Sequence, residues 1–417
     1  MTDAATTGTD AGSTAGRDLA GCPVKHYDFA QSAEVGTYLR LADELREEGP
    51  VFFNSFAQGY WVFTRHDAVR EIYRQADLFS SESFTPHEPN PVYRFVPTQI
   101  DPPEHVKYRQ ILNPWFSPNA VEALVPEARA ICARLLDELA DRGECDFIND
   151  FALRYPTEVF LTSIGVPTDR ADDFVGWVEG FFRGFSGDPE HLAGMVAALG
   201  SIRTYWEGIL AERRRDTEAR PRDLAMHLLG STIDGRPLTD TEMLDMLVVL
   251  VLAGLDTTQA SLGFLFRHLA QHPEHRRQVV DDPTLVPTLV EESLRLYTII
   301  FADGRKVTRD EEFFGVQLRA GDMVCGLVAG ANRDPRVYDR ADEFVVDRTG
   351  THHLGFAAGP HRCLGAHLAR REMQIVVEEW LARIPDFSLA ESEPPIERGG
   401  GAMLALQHLY LQWNVSA

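Results

Sequence analysis

Along most of the chain, apolar residues return every three to four positions, the spacing of helices with one buried face. Ser117-Pro118 combines an N-cap with proline at the first helical position, and its pattern stops near Arg142-Gly143. Thr239-Asp240-Thr241-Glu242 is a capping box that opens an apolar pattern continuing to about His272-Pro273. At roughly 30 residues, well above the usual globular length, that helix would cross a whole domain. Asp101-Pro102-Pro103-Glu104 reads as a further helix start. Strand-like stretches are fewer, at 60–64, 316–318, 323–327 and 405–413. The predicted fold is mainly α with a minor β part. Residues 1–21, rich in Thr, Ala, Gly, Ser and Asp, are expected to be a disordered tail. Residues 22–417 carry no long low-complexity linker and no repeat, which predicts one large domain.

Composition narrows the function classes. The chain has 417 residues, 44% hydrophobic and 10% aromatic, enough to bury a bulky cofactor. A formal charge of −23 argues against nucleic acid as a partner, because such binding needs cations against phosphates. The most apolar run, 246–255, is half of what a membrane span needs and fits a buried core helix. The N-terminus lacks the basic-then-apolar pattern of a secretion signal. The five cysteines are scattered and odd in number, which predicts free thiols in a reducing cytoplasm.

Four motifs carry chemistry. The first is Phe356-Ala357-Ala358-Gly359-Pro360-His361-Arg362-Cys363-Leu364-Gly365. Its glycines allow a compact backbone beside a flat macrocycle, and a tight loop aims N–H groups at the sulfur. Alone, such a cysteine is more often a buried core thiol than a ligand. His352, His353, His361, Cys363 and His367 also permit a zinc reading, although structural zinc usually recruits a second cysteine. The second is Ala253-Gly254-Leu255-Asp256-Thr257-Thr258, inside the long apolar helix. Thr257 can bond back to the carbonyl of Ala253 and loosen the helix, and Asp256 beside it makes an acid–alcohol pair able to pass protons. The plain alternative is a bent core helix with Asp256 reaching solvent. The third, Glu292-Ser293-Leu294-Arg295, places an acid and a base on one helix face, as many surface pairs do. The fourth is a set of cations, His105, Arg109, Arg305 and His361, that could hold two carboxylates.

In order and spacing, these motifs resemble those of the cytochrome P-450 superfamily, specifically its soluble bacterial members, from about Val24 to Trp413. The resemblance implies a single large P-450-type domain with the long central helix lying over a haem. It implies Cys363 as the iron ligand of haem b, and Asp256 and Thr257 as the catalytic acid–alcohol pair. It further implies Glu292 and Arg295 as a structural pair engaging a later arginine, and His105, Arg109, Arg305 and His361 around the haem propionates. Ala331-Asn332-Arg333-Asp334-Pro335 and Leu368-Ala369-Arg370-Arg371-Glu372 match the family too. The chain departs from the usual pattern at Ala357, where the family has glycine, and lacks the usual proline within 296–300.

The expected function is a haem-thiolate monooxygenase that activates O₂ and hydroxylates or epoxidises a hydrophobic terpenoid, steroid, fatty acid, aromatic or polyketide. Phe84, Tyr93, Phe95, Val96, Phe181, Phe182, Phe185, Leu250, Ala253, Gly254, Ile299, Ile300 and Phe301 are the predicted pocket, with several of them readable as plain core. Arg94 or Arg183 could anchor a carboxylate. Electrons would come from a separate ferredoxin and its reductase, docking on Lys107, Arg362, Arg370 and Arg371 unless these arginines are paired structurally. No membrane anchor is expected. The alternatives are an H₂O₂-using peroxygenase, which would not need the acid–alcohol pair, and a non-catalytic haem-binding sensor.

Overall fold

The structure is a computed structural model describing residues 19, 21–91, 93–184, 189–215, 223–390, 394–399 and 403–415. The predicted tail therefore lies outside the described residues except for Leu19 and Gly21, and Phe185 lies outside them as well.

The central helix spans Asp240–Gln271, and its capping box forms as predicted. The Glu242 N–H donates to Thr239 Oγ1 at 3.2 Å, and the Thr239 N–H donates to Glu242 Oε2 at 2.7 Å. The helix is apolar on nearly every face because other elements surround it. It packs against helices Arg154–Ser163, Ala171–Arg183, Pro189–Arg215, Val286–Leu296 and Ala366–Arg383 and against strand Leu404–Leu406. Among the described residues it is the one helix long and apolar enough to cross a membrane, yet 83% of its apolar window is buried in the protein. Core burial accounts for that apolarity.

The helix opened by Ser117 runs Pro118–Asp137, with the Ala120 N–H donating to Ser117 Oγ. A 3₁₀ turn, Ala140–Arg142, then ends at Gly143, whose φ of 78° is left-handed, the usual stop for a helix. The helix after Asp101 spans Glu104–Leu112. Asp101 anchors it by accepting the Ser81 N–H at 2.8 Å.

The β part is small and peripheral. A six-stranded sheet takes the order Val24–Lys25, Val51–Asn54, Tyr60–Phe63, Met323–Gly326, Asp303–Val307, Phe79–Ser80. Two of the predicted strands, near 60–64 and 323–327, pair in parallel within it. The stretch 316–318 forms strand Val316–Leu318, paired with Glu311–Phe313. The stretch 405–413 is not one strand. It divides into Leu404–Leu406 and Tyr410–Gln412, in two different three-stranded sheets. The break falls at the polar Gln407-His408, where Asp146 accepts from the Leu409 N–H at 3.1 Å and contacts His408 Nδ1 at 2.8 Å. The strand-like pattern hides a turn that a carboxylate distant in sequence imposes.

Candidate functional site

The loop of residues 356–365 immediately precedes helix Ala366–Arg383 and packs against helix His66–Arg74. Its turn is held by the Cys363 N–H donating to the Phe356 carbonyl at 2.9 Å and the Ala357 N–H donating to that of Leu354 at 2.8 Å. Gly359 has φ 68°, and a Cβ there would stand 2.4 Å from the Tyr73 carbonyl oxygen, so no other residue fits. Ala357 adopts φ 54°, a left-handed conformation that glycine takes without steric cost. The sequence departure from glycine thus leaves the turn in place and makes alanine carry the strain. Burial pushes the Cys363 thiol up from its usual value, while the Gly365 N–H and the guanidinium groups of Arg109, Arg370 and Arg362 pull toward thiolate. Cys363 has protein atoms densely around it, yet the residue remains exposed.

The four predicted cations come together beside this loop. His105 and His361 lie with ring centroids 4.1 Å apart. Arg109 Nη1 donates to the Arg362 carbonyl at 3.0 Å, next to the cysteine. Arg305, on strand Asp303–Val307, is buried over the Tyr73 ring and paired with Asp303 at 2.9 Å. Burial together with Arg305, His105 and Arg109 holds His361 down at about 3, and burial with Arg109 holds His105 at about 4. Both imidazoles are therefore neutral donors at physiological pH. His105 Nδ1 and His361 Nε2 are buried with no hydrogen-bond partner among the described residues. Buried ring nitrogens next to two guanidinium groups fit the carboxylates of an anionic cofactor.

Across the domain, the central helix leaves Ala253 exposed and Gly254 and Thr257 half-buried, while Leu252, Leu255, Asp256 and Thr258 around them are buried. Thr257 Oγ1 donates to the Ala253 carbonyl at 2.9 Å, the back-bond its position predicts. Helical structure is continuous through this stretch. Gly254 has a packing reason instead: a Cβ there would meet the Phe160 ring at 2.7 Å. Asp256 does not reach solvent. It is buried and accepts from Arg398 Nη2 at 2.9 Å, and burial raises its carboxyl against the pull of that guanidinium. Thr258, on the other side of Thr257, bonds the buried carboxyl of Glu372. Neither Arg398 nor Glu372 has a local sequence signal for these contacts, because each partner comes from a distant element.

The predicted pocket residues divide. Tyr93 and Phe95 stack at 4.8 Å, Phe84 lies 6.2 Å from Phe95, and Phe181 sits edge-on to Phe95 at 6.0 Å and to Phe182 at 5.2 Å. Val96, Leu250 and Ile299 are buried, and Ile300 bridges to Met403. Phe301 packs into the core against Phe29 at 5.0 Å and Tyr38 at 5.4 Å. Arg183 reaches Glu179 at 3.8 Å, and Arg94 is exposed.

Glu292 and Arg295 form no surface pair. Both are fully buried and joined by two bonds of 2.8 and 2.7 Å, and Arg348 donates to both Glu292 oxygens at 3.0 and 2.9 Å. Helix Val286–Leu296 ends beyond them at Tyr297, whose N–H returns to the Ser293 carbonyl without the family's proline. His353, one of the zinc candidates, is taken by Glu291 at 3.2 Å. Burial works against the Glu291 charge, but His353 and Arg370 hold its carboxyl down at about 2. Of the predicted basic patch, Lys107 pairs with Asp234, Arg370 with Glu291 and Arg371 with Glu122, while Arg362 is exposed.

The family model described as cytochrome P450 matches residues 40–413. The chain belongs to the cytochrome P450 family. It is 34% identical over 376 residues to a probable cytochrome P450 127A1 of Sinorhizobium fredii, covering 88% of each chain. It is 30% identical over 354 residues to a steroid C26-monooxygenase of Mycolicibacterium smegmatis, covering 84% of this chain and 86% of that one. Among solved structures it resembles CYP101J2, with a TM-score of 0.84, 27% identity, and coverage of 98% of this chain and 100% of that one. The protein is thus a P450 monooxygenase, an oxidoreductase of a haem-dependent family.

Proposed function

We propose that Cys363 ligates the iron of haem b as a thiolate, that His105, Arg109, Arg305 and His361 hold the propionates, and that the enzyme oxygenates a hydrophobic molecule of terpenoid, steroid or polyketide type. The observation that carries this reading is the convergence of the strained Cys363 loop with two guanidinium groups and two imidazoles, each with one buried ring nitrogen lacking a hydrogen-bond partner among the described residues. Haem bound there supplies O₂ activation, and thiolate ligation favours cleavage of the O–O bond.

The chain's own residues do the rest. Gly365 donates its N–H toward the sulfur, and Arg109 adds positive charge on that side. Thr257, its hydrogen engaged by the Ala253 carbonyl, presents acceptor lone pairs to the interior, where it holds a water. Asp256 passes protons to that site from outside when its bond to Arg398 opens. The Phe84, Tyr93, Phe95 and Phe181 cluster excludes water and binds an apolar guest. Electrons come from a separate ferredoxin and its reductase in the cytoplasm.

Thr257→Ala tests the assigned relay. The variant is expected to bind haem and substrate as the wild type does, but to yield several-fold less product per NAD(P)H with the balance as H₂O₂. An unchanged ratio of product to NAD(P)H contradicts the role of Thr257.

A further inference from the structure

The turn at which the central helix ends holds a cluster that oxygenation does not use. His272 caps helix Asp240–Gln271 and immediately precedes helix Pro273–Asp281, so the chain changes direction there. His272, Glu274 and His275 each bring one ligand atom within 4.8 Å of the others, the one such group among the described residues. His272 Nδ1 lies 3.0 Å from Glu274 Oε1, and the His272 and His275 rings face each other at 5.4 Å.

The cluster is braced from behind. His275 Nδ1 lies 2.9 Å from His268 Nε2, and His268 Nδ1 lies 2.8 Å from the Tyr297 hydroxyl. His268 is buried and stacked on Phe344 at 3.8 Å, so this relay has little freedom. With Nδ1 engaged by His268, His275 has Nε2 left to offer an ion. Metal-ligating histidines are characteristically held in this way, with the second ring nitrogen tied to a fixed partner that sets tautomer and orientation. Arg276, next along the helix, is turned away to Asp386 and to the Phe387 carbonyl, and does not compete for Glu274. Two imidazoles and one carboxylate, half-buried to exposed, leave water to complete a tetrahedral shell. That donor set suits Zn²⁺ and its transition-metal neighbours, whereas Ca²⁺ and Mg²⁺ require oxygen ligands.

We propose that His272, Glu274 and His275 bind a divalent transition-metal ion of the Zn²⁺ class, with His268 and Tyr297 positioning His275. The ion clips the end of the central helix to the helix that follows. The site is independent of the haem reading, since none of its residues belongs to the Cys363 loop or the Thr257 stretch.

The test is calorimetric titration of tag-free holoprotein with ZnCl₂, with the haem spectrum recorded throughout. The expected result is one ion per chain, a higher Tm in Zn²⁺ and an unchanged haem spectrum. Tyr297→Phe, which keeps every ligand, should weaken binding about tenfold through the lost orientation of His275. The double variant His272→Ala, Glu274→Gln should lose the Tm increase altogether. Glu274→Gln alone, at an exposed position, serves if the double variant does not fold. Failure of the wild type to take up Zn²⁺, or binding undiminished in these ligand variants, overturns the proposal.

Discussion

Ala357 occupies a left-handed turn at φ 54°, where an L side chain costs about 1–2 kcal/mol. Replacing it with glycine relieves that strain, while glycine's extra freedom in the unfolded chain takes back about 0.4–1 kcal/mol. Ala357→Gly is therefore expected to raise the Tm slightly and leave the ligand loop intact; a fall in Tm would mean that the methyl contributes packing worth more than the strain. Glu372 is the second residue-scale case. Burial holds its carboxyl well above its ordinary value of 4.5, and a hydrogen bond from Thr258 only partly opposes this. A raised folded pKa stabilises the protein below the unfolded value. That contribution is lost as pH rises toward the folded value, at up to about 1.4 kcal/mol per unit. Glu372→Gln keeps the bond to Thr258 and removes the titration. Thermal melts from pH 4.5 upward should show wild type losing stability relative to the variant, and parallel curves would show that Glu372 titrates normally. At this scale the sequence was informative wherever chemistry was local. Thr257's bond to Ala253 follows from a four-residue spacing, whereas Arg398's bond to Asp256 spans 142 positions and leaves no trace along the chain.

Among the elements, helix Val286–Leu296 shows how burial changes the meaning of a motif. Glu292 and Arg295 share a helix face, a spacing that on a surface contributes little. In the fold the pair is fully buried, and Arg295 also donates to the carbonyls of Asn332 at 2.9 Å and Ala341 at 2.7 Å. Glu292→Ala strands two guanidinium groups, those of Arg295 and Arg348, away from their counter-charge. Urea unfolding of that variant is expected to show a loss of about 3–5 kcal/mol, the cost of breaking a buried pair. A loss near zero would mean that the carbonyls alone satisfy Arg295. Element boundaries were legible where capping chemistry marks them, as at Ser117 and Thr239. They were illegible at 405–413, where one stretch serves two sheets and Asp146, on the strand paired with Tyr410–Gln412, sets the turn.

At the scale of the whole molecule, the long apolar helix and the mainly helical architecture followed from periodicity and capping, and the family followed from the order of the motifs. Convergence did not. Periodicity says nothing of which loops meet, so the contact of His105 with His361 across the molecule had to come from the fold. The overall charge of −23 repels an acidic electron carrier, which makes any local cation at the docking face decisive. Pairing of Lys107, Arg370 and Arg371 leaves Arg362 as the exposed member of the proposed patch. Arg362→Glu is expected to slow reduction by ferredoxin at low salt while sparing substrate affinity, and stopped-flow rates equal to wild type would place the docking face elsewhere.

Every role proposed for this site depends on the Cys363 thiolate ligating a haem iron. The most direct measurement of that ligation is the absorption spectrum of the reduced protein under carbon monoxide, for wild type and Cys363→His. The wild type is expected to show the long-wavelength Soret band of a thiolate-ligated haem, and the variant its displacement to shorter wavelength. A wild-type band already at the shorter wavelength, or one unmoved by the substitution, would contradict ligation by Cys363.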